Sequence, residues 1–315
     1  MCATRRTFES KTNVDELRGM MSDFRASPSL IRRARSGLFF VAVTLGAMSL
    51  AGCSSLDTLN PFGGEKYQTK LLPDVPAEQI YDQGLARLQN QDGDGAARKF
   101  GELEKQFPYS QWARKALLMQ VYSQYEAGNY DDAAAAATRY IGLYPSSQET
   151  PYAAYLMGMS FYKQIPDISR DQENAERALQ VFTSLVQKYP KSEYVADAKF
   201  KIQVTRDQLA GKEMSVGRFY LARKNYTAAV NRFREVLAKY QNTRHAEEAL
   251  YRLAEAYLGL GVTNEAQTAA AVLGHNFPDS QWYQDSYKLL ASGGLKPQEN
   301  RGSWISKAFS KIGLG

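Results

Sequence analysis

Five short segments punctuate the chain: FPYSQ (107–111), YPSSQ (144–148), YPKSE (189–193), YQNTR (240–244) and FPDSQ (277–281). Each is an aromatic residue, then proline (Gln241 in the fourth), then a Ser or Thr two residues on. Twelve residues before each proline position stands an alanine: Ala96, Ala133, Ala178, Ala229 and Ala266. Four beyond the alanine come Phe100, Ala137, Phe182, Phe233 and Ala270; seven beyond come Leu103, Tyr140, Leu185, Val236 and Leu273. Offsets of four and seven share one face of a helix. The spacing therefore predicts a helix ahead of every punctuation point, broken by proline, with the hydroxyl residue capping the helix that follows. The repeated phrase is a turn between units, not a binding motif used several times.

A second helix precedes each of these. Small residues recur on it (Gly84, Gly217 and Ala254 at one offset, Gly158 if a loop is lengthened, Val121 as the exception), where two backbones are expected to approach closely. A helix–turn–helix unit of about 34 residues with this arrangement is a tetratricopeptide-type repeat. Alanine-to-alanine steps of 37, 45, 51 and 37 make every unit irregular. The third carries a long inter-helix loop, KQIPDISRDQEN, and the fourth an extended first half from Ser192 to Lys224, expected to break near Gly211. The fold class is all-α: a solenoid of five helix pairs over 77–291, with repeats at about 77–109, 110–146, 147–191, 192–242 and 243–279, and a capping helix at 280–291. The AAAAA run at 133–137 is expected to be a close-packed helix contact.

Ahead of the repeats lies the basic stretch RRAR, the apolar run GLFFVAVTLGAMSL, and LAGC at 50–53. A charged segment, a short apolar core and a small-residue site make a secretory signal, too short to span a bilayer stably. LAGC resembles a bacterial lipobox, with Ala51 and Gly52 small enough for the peptidase and the Cys53 thiol as acyl acceptor. Residues 1–52 are thus expected to be a lipoprotein signal peptide, with translation starting at Met1 or at Met20 or Met21. Residues 53–76 would be a lipidated Gly- and Pro-containing tether. Ser54 in place of Asp resembles lipoproteins exported to the outer membrane. Cys53 would be the lone cysteine after cleavage, so no internal disulfide is expected.

The chain holds 39 Lys+Arg against 33 Asp+Glu. Residues 1–52 account for 8 and 4 of these, which leaves 31 against 29 in the body. A nucleic-acid binder should carry a concentrated basic face instead, so no nucleic-acid partner is expected. The two histidines, His245 and His275, lie on different repeats with no carboxylate or cysteine at metal-ligand spacing. DGDG at 92–95 lacks the remaining ligands of a calcium loop and is expected to be a plain turn. No nucleophile–base arrangement or phosphate-cradling loop stands out, so neither cofactor, metal nor enzymatic activity is expected. A stack of repeats instead offers an extended surface to a partner. Tyrosines crowd the first helices (Tyr81, Tyr122, Tyr125, Tyr155, Tyr162), where rings divide between core and groove.

SVGRFYLARKNYTAAVNRFREVLAKYQNT (215–243), supported by PKSEYVADAKFKIQVTRDQLA (190–210), resembles the BamD family, lipoproteins of the β-barrel assembly machinery. The resemblance covers about 50–291. It implies a non-enzymatic subunit, lipid-anchored through Cys53 to the outer membrane and facing the periplasm, that helps deliver and insert outer-membrane proteins. Its partners would be the barrel-forming subunit, the other lipoproteins of the complex and unfolded outer-membrane proteins. Carried over onto this chain, Arg232, with Asn231 and Arg218, is the candidate contact with the periplasmic domain of the barrel-forming subunit; a guanidinium fork can hold a carboxylate bidentately. Tyr81, Arg114 and Tyr122 are candidates for the substrate groove. The competing reading is a periplasmic tetratricopeptide adaptor for peptidoglycan or Tol–Pal machinery, which usually carries a coiled coil before its repeats and often lacks a lipobox.

Beyond the family core, SGGLKPQENRGS reads as a linker and WISKAFSKIGLG as a short basic amphipathic helix. Trp304 and Phe309 share its apolar face, with Lys307 and Lys311 beside them. This face is expected to touch anionic lipid or a neighbouring subunit.

Overall fold

The computed structural model describes residues 75–310. The signal segment, Cys53, the tether up to residue 74 and Lys311 lie outside the described residues. Within them the chain is all helix, with no strand. Ten helices form five pairs: α1 (Ala77–Gln89) with α2 (Gly93–Gln106), α3 (Gln111–Glu126) with α4 (Tyr130–Leu143), α5 (Thr150–Lys163) with α6 (Glu173–Lys188), α7 (Val195–Ala222) with α8 (Tyr226–Lys239), and α9 (His245–Gly259) with α10 (Thr263–Asn276). Then follow α11 (Gln281–Ser292) and a short α12 (Trp304–Ser310). Each first helix touches the first helix of the next pair, whereas no second helix packs directly on another second helix. First helices therefore line one face of the stack and second helices the opposite face. No described helix is long and apolar enough to cross a membrane.

The repeated phrase is the same turn five times. Phe107, Tyr144, Tyr189, Tyr240 and Phe277 each end a second helix with φ between −127° and −137° and ψ between 33° and 63°. Each donates its N–H to the carbonyl four residues back. Each then accepts a hydrogen bond from the N–H of the Ser or Thr three residues on, at 3.0–3.2 Å. Proline occupies the second position of this turn, where its fixed φ fits. Gln241 adopts the same turn, so proline assists it but is not required. The capping role expected of the hydroxyl holds only at Ser280, whose Oγ accepts from Trp282 N–H at 3.2 Å. Ser147, Ser192 and Thr243 stand one or two residues ahead of the true N-caps, Glu149, Tyr194 and Arg244, and cannot reach the first-turn amides. DGDG is corrected too. Asp92 caps α2, its Oδ1 accepting from Gly95 N–H at 2.8 Å, so the stretch opens a helix.

The alanine, +4 and +7 stripe is the core of every repeat: all fifteen positions are at most 1% exposed. Ala133, Ala134, Ala136 and Ala137 are buried, so the alanine run is a packing face. The small residues on first helices have a different cause from the one expected. A Cβ on Gly84, Gly158 or Gly217 would stand 2.6, 2.5 or 2.4 Å from the ring of Phe100, Phe182 or Phe233. They admit a phenylalanine ring from the second helix, not a close backbone. Where the ring is replaced by Ala137 or Ala270, the facing residue grows to Val121 or Ala254.

The expected break at Gly211 is absent. α7 runs unbroken for 28 residues, about 42 Å at 1.5 Å per residue. An interior glycine costs about 1 kcal/mol, and the packing on either side outweighs it: Leu209, Ala210 and Met214 are buried. The long loop of the third repeat also lies across this point. Gln208 Nε2 donates to Pro166 O at 3.1 Å and Lys212 Nζ to Ser169 O at 3.1 Å. The long loop and the long helix are one insertion shared between two repeats.

The tail is corrected as well. Instead of presenting its apolar face outward, α12 folds back between α8 and α10 as a strap. Ile305 is fully buried and Phe309 is 7% exposed, its ring edge-on to Phe277 at 6.5 Å. Trp304 Nε1 donates to Tyr257 OH at 3.1 Å under the Arg234 guanidinium. Ser303 Oγ donates to Glu265 Oε2 at 2.5 Å, and Gln241 Nε2 donates to Ala308 O. The residues expected to meet lipid are held by the chain's own repeats because Tyr257 and Phe277 offer a nearer apolar seat; Lys307 is exposed.

Candidate functional site: an inner tyrosine shelf and an outer arginine recess

Helix spacing places Tyr122 and Tyr125 on α3, Tyr152 and Tyr155 on α5, and Tyr194 and Asp197 at the start of α7, all on the first-helix face. Tyr155 stacks on Tyr194 with centroids 5.1 Å apart, and Tyr152 meets the same ring at 5.3 Å. Tyr155 OH donates to Asp197 Oδ2 at 2.8 Å. Burial pushes the Tyr125 phenol up to about 12, helped by Tyr130, Glu126 and Asp197. Burial raises Tyr152 well above the ordinary range, and burial together with the Asp197 hydrogen bond does the same for Tyr155. Glu126 is pushed up by burial too, opposed by Lys163. Lys201 Nζ sits 5.0 Å over the Tyr162 ring and 3.8 Å from Asp197 Oδ1. The shelf thus presents neutral phenols, ring edges and two carboxylates across three repeats. Such a surface is able to stack against and hydrogen-bond an extended chain.

Of the three groove candidates, only Tyr122 belongs to this shelf. Tyr81 packs between Phe100 at 5.4 Å and Trp112 at 5.0 Å, its phenol pushed up to about 12 by burial, and serves the core of the first repeat. Arg114 reaches Glu149 at 3.7 Å across the repeat boundary. The sequence reading does not single out Tyr152, Tyr194, Asp197 or Glu126. Their signal in the sequence is a pair three residues apart on consecutive first helices, at the end of α3 (122/125) and at the starts of α5 (152/155) and α7 (194/197).

On the opposite face, Asn231 and Arg232 of α8 line a recess of about 260 Å³ with Glu213 and Tyr220 of α7, Ala228 and Glu235. Arg232 Nη1 lies 3.1 Å from Glu213 Oε2; the arginine side chain is 45% exposed and the glutamate 20%. One nitrogen is engaged, and the outer edge of the fork faces solvent. An ion pair this exposed contributes at most about 1 kcal/mol to stability, so its geometry matters more than its strength. Arg218 is not part of this recess: it reaches across to Glu248 of α9 at 3.0 Å, among the first helices. The histidines lie apart; burial holds His245 below its ordinary pKa, and among the described residues no three His, Cys, Asp or Glu could hold a metal ion.

A family model described as YfiO, outer membrane lipoprotein, matches residues 73–273. The match takes in the shelf and the recess and stops before the cap and the strap. The outer membrane protein assembly factor BamD of Caulobacter vibrioides is 42% identical over 257 residues, 82% of each chain. Its namesake in Rickettsia prowazekii is 40% identical over 216 residues, covering 69% of this chain and 86% of its own. That of Neisseria meningitidis serogroup A is 32% identical over 258 residues, covering 79% and 94%. The repeat body, the fourth-repeat sequence around Arg232 and relatives matched along most of their length agree: this chain belongs to the BamD (YfiO) family of outer-membrane lipoproteins.

Proposed function

We propose that the chain is a non-enzymatic assembly factor for outer-membrane β-barrel proteins, tethered through acylated Cys53 and facing the periplasm. The outer recess, through Arg232 with Asn231, docks on the periplasmic domain of the barrel-forming subunit. The inner shelf receives the extended segment of an incoming unfolded outer-membrane protein. Two gripping surfaces on opposite faces of one stack carry this reading: a single chain can hold the machine on one face and its substrate on the other. The repeats are rigid enough for this because each first helix is wedged between the helices of its neighbour.

Recovery of the tagged chain from detergent-solubilised membranes tests the reading. The barrel-forming subunit should copurify with the wild-type chain, and Arg232→Ala should lower that recovery about tenfold or more, as loss of a central arginine anchor does. Recovery of Tol–Pal or peptidoglycan-synthesis proteins without the barrel-forming subunit would favour the adaptor role instead.

A further inference from the structure

The strap leaves off at the mouth of a second groove. α12 runs along the α8–α10 groove towards the ends of both helices. Near its start Trp304 meets Tyr257 and Arg234; near its end Phe309 meets Phe277, and Ala308 O accepts from Gln241 Nε2 at 3.4 Å. Gln241 directly follows Tyr240, and Tyr240 lines the next groove back, between α6 and α8. That groove holds a recess of about 510 Å³ with the aliphatic side chains of Leu179 and Leu209 in its lining. Tyr240 stands 37 residues before Phe277, one repeat step, so both grooves offer an aromatic ring at the same point of the register.

The charges around the recess favour a cation. Glu176, Glu213 and Glu235 all stand close enough to Tyr240 to act on its phenol, with Lys239 opposing them. Glu213 is paired with Arg232 and Glu235 with Lys239. Three carboxylates therefore face two cations, and Glu176, which also lines the recess, is in no ion pair among the described residues.

Five residues follow α12 in the sequence, Lys311, Ile312, Gly313, Leu314 and Gly315, and they lie outside the described residues. Extended, five residues reach at most about 18 Å. Ile312 and Leu314, two apart, share one side of an extended backbone, and Lys311 supplies a cation at the end nearest the strap.

We propose that residues 311–315 continue the strap into the α6–α8 groove, with Ile312 and Leu314 against Leu179 and Leu209 and the Lys311 ammonium on Glu176. The tail then clips the third repeat to the fourth and fifth along the outer face. The occupant is the chain's own tail because the seated α12 and the Gln241 bond hold the start of the segment beside Tyr240. A segment tethered so closely has an effective concentration on the order of millimolar, which a second copy in dilute solution does not match. The inference stands on the chain's own packing and charge and is independent of the docking role given above.

The test uses the purified full-length lipoprotein with a photoreactive phenylalanine analogue at Leu314. It should crosslink within the same chain, to α6 or to the Leu209 stretch of α7, with a yield unchanged by tenfold dilution. Lys311→Glu should lower that yield about fivefold, the most that an exposed ion pair contributes, and Glu176→Lys in the same chain should restore it. Removing residues 311–315 should speed hydrogen exchange in α6 several-fold and leave α1–α4 unchanged. Crosslinks to a second copy, to detergent alone or to another part of the chain would overturn the proposal. Wild-type yield for Lys311→Glu, or unchanged exchange in α6 after the truncation, would overturn it as well.

Discussion

Gly84, Gly158 and Gly217 sit on first helices where the phenylalanine of the same repeat's second helix crosses, and the ring occupies the space a methyl would need. Gly158→Ala and Gly217→Ala should therefore destabilise by about 1–3 kcal/mol, and Phe182→Leu or Phe233→Leu in the same chain should restore part of the loss. Gly211 differs: a Cβ there would lie 3.4 Å from the His245 ring, an ordinary contact. Gly211→Ala should stabilise by about 0.5–1 kcal/mol, the usual gain of alanine over glycine inside a helix. Chemical denaturation of the three variants checks both signs. The buried phenols give a second residue-level prediction. Tyr81 and Tyr125 titrate near 12 in the folded chain against a reference of 10.0. A folded pKa above the unfolded one contributes stability that is complete below pH 10 and is lost as pH rises from about 10 towards 12. Helical ellipticity should fall, and phenolate absorbance rise, together in that window; helix retained above pH 12, or tyrosines ionising freely at pH 10, would contradict the burial of Tyr81 and Tyr125.

Among the elements, α7 and the strap do the most to make this stack unlike a regular repeat array. The helix is long because the third repeat's loop packs across its middle, and the loop is ordered because the helix is there. The strap joins the fourth and fifth repeats on the outer face: Gln241, in the turn after α8, bonds Ala308 and Arg234 of α8 covers the Trp304 ring, while Glu265 and Thr268 of α10 bond Ser303 and Asn300 just ahead of it. Ile305→Ala should cost about 2–5 kcal/mol, the usual range for truncating a buried aliphatic residue. Because repeats couple mainly to their neighbours, the effect should be local. Hydrogen exchange should speed up in α8 and α10 and stay unchanged in α1–α4; uniform acceleration would mean the stack unfolds as one unit. From sequence alone α7 reads as two helices, since a glycine inside a helical pattern, here followed by Lys212 and Glu213, is a reasonable stop. The tail likewise reads as a free amphipathic helix. In both, the deciding partner is far away in the chain: Ile168 and Ser169 for Gly211, Tyr257 and Phe277 for Trp304 and Phe309.

For the molecule as a whole, the proposed function follows from having two unlike faces. First helices, which touch one another, carry the tyrosine shelf; second helices, which do not, leave grooves between them, one filled by the strap and one open between α6 and α8. Under the proposed function, a long substrate is held on the first face and a partner's domain on the second. The sequence by itself determined the number of helix pairs, their order, the turn between them and the fifteen-position core stripe. Those depend on contacts within a few turns of helix and on a spacing repeated five times. Only the tertiary structure decided why the glycines are small, which tyrosines meet on one shelf, that Arg218 and Arg232 face different surroundings, and where the tail lies. Each of these is a contact between different helices or repeats, fixed by the angle at which helices cross, and that angle is set by how side chains from separate parts of the chain fill one space.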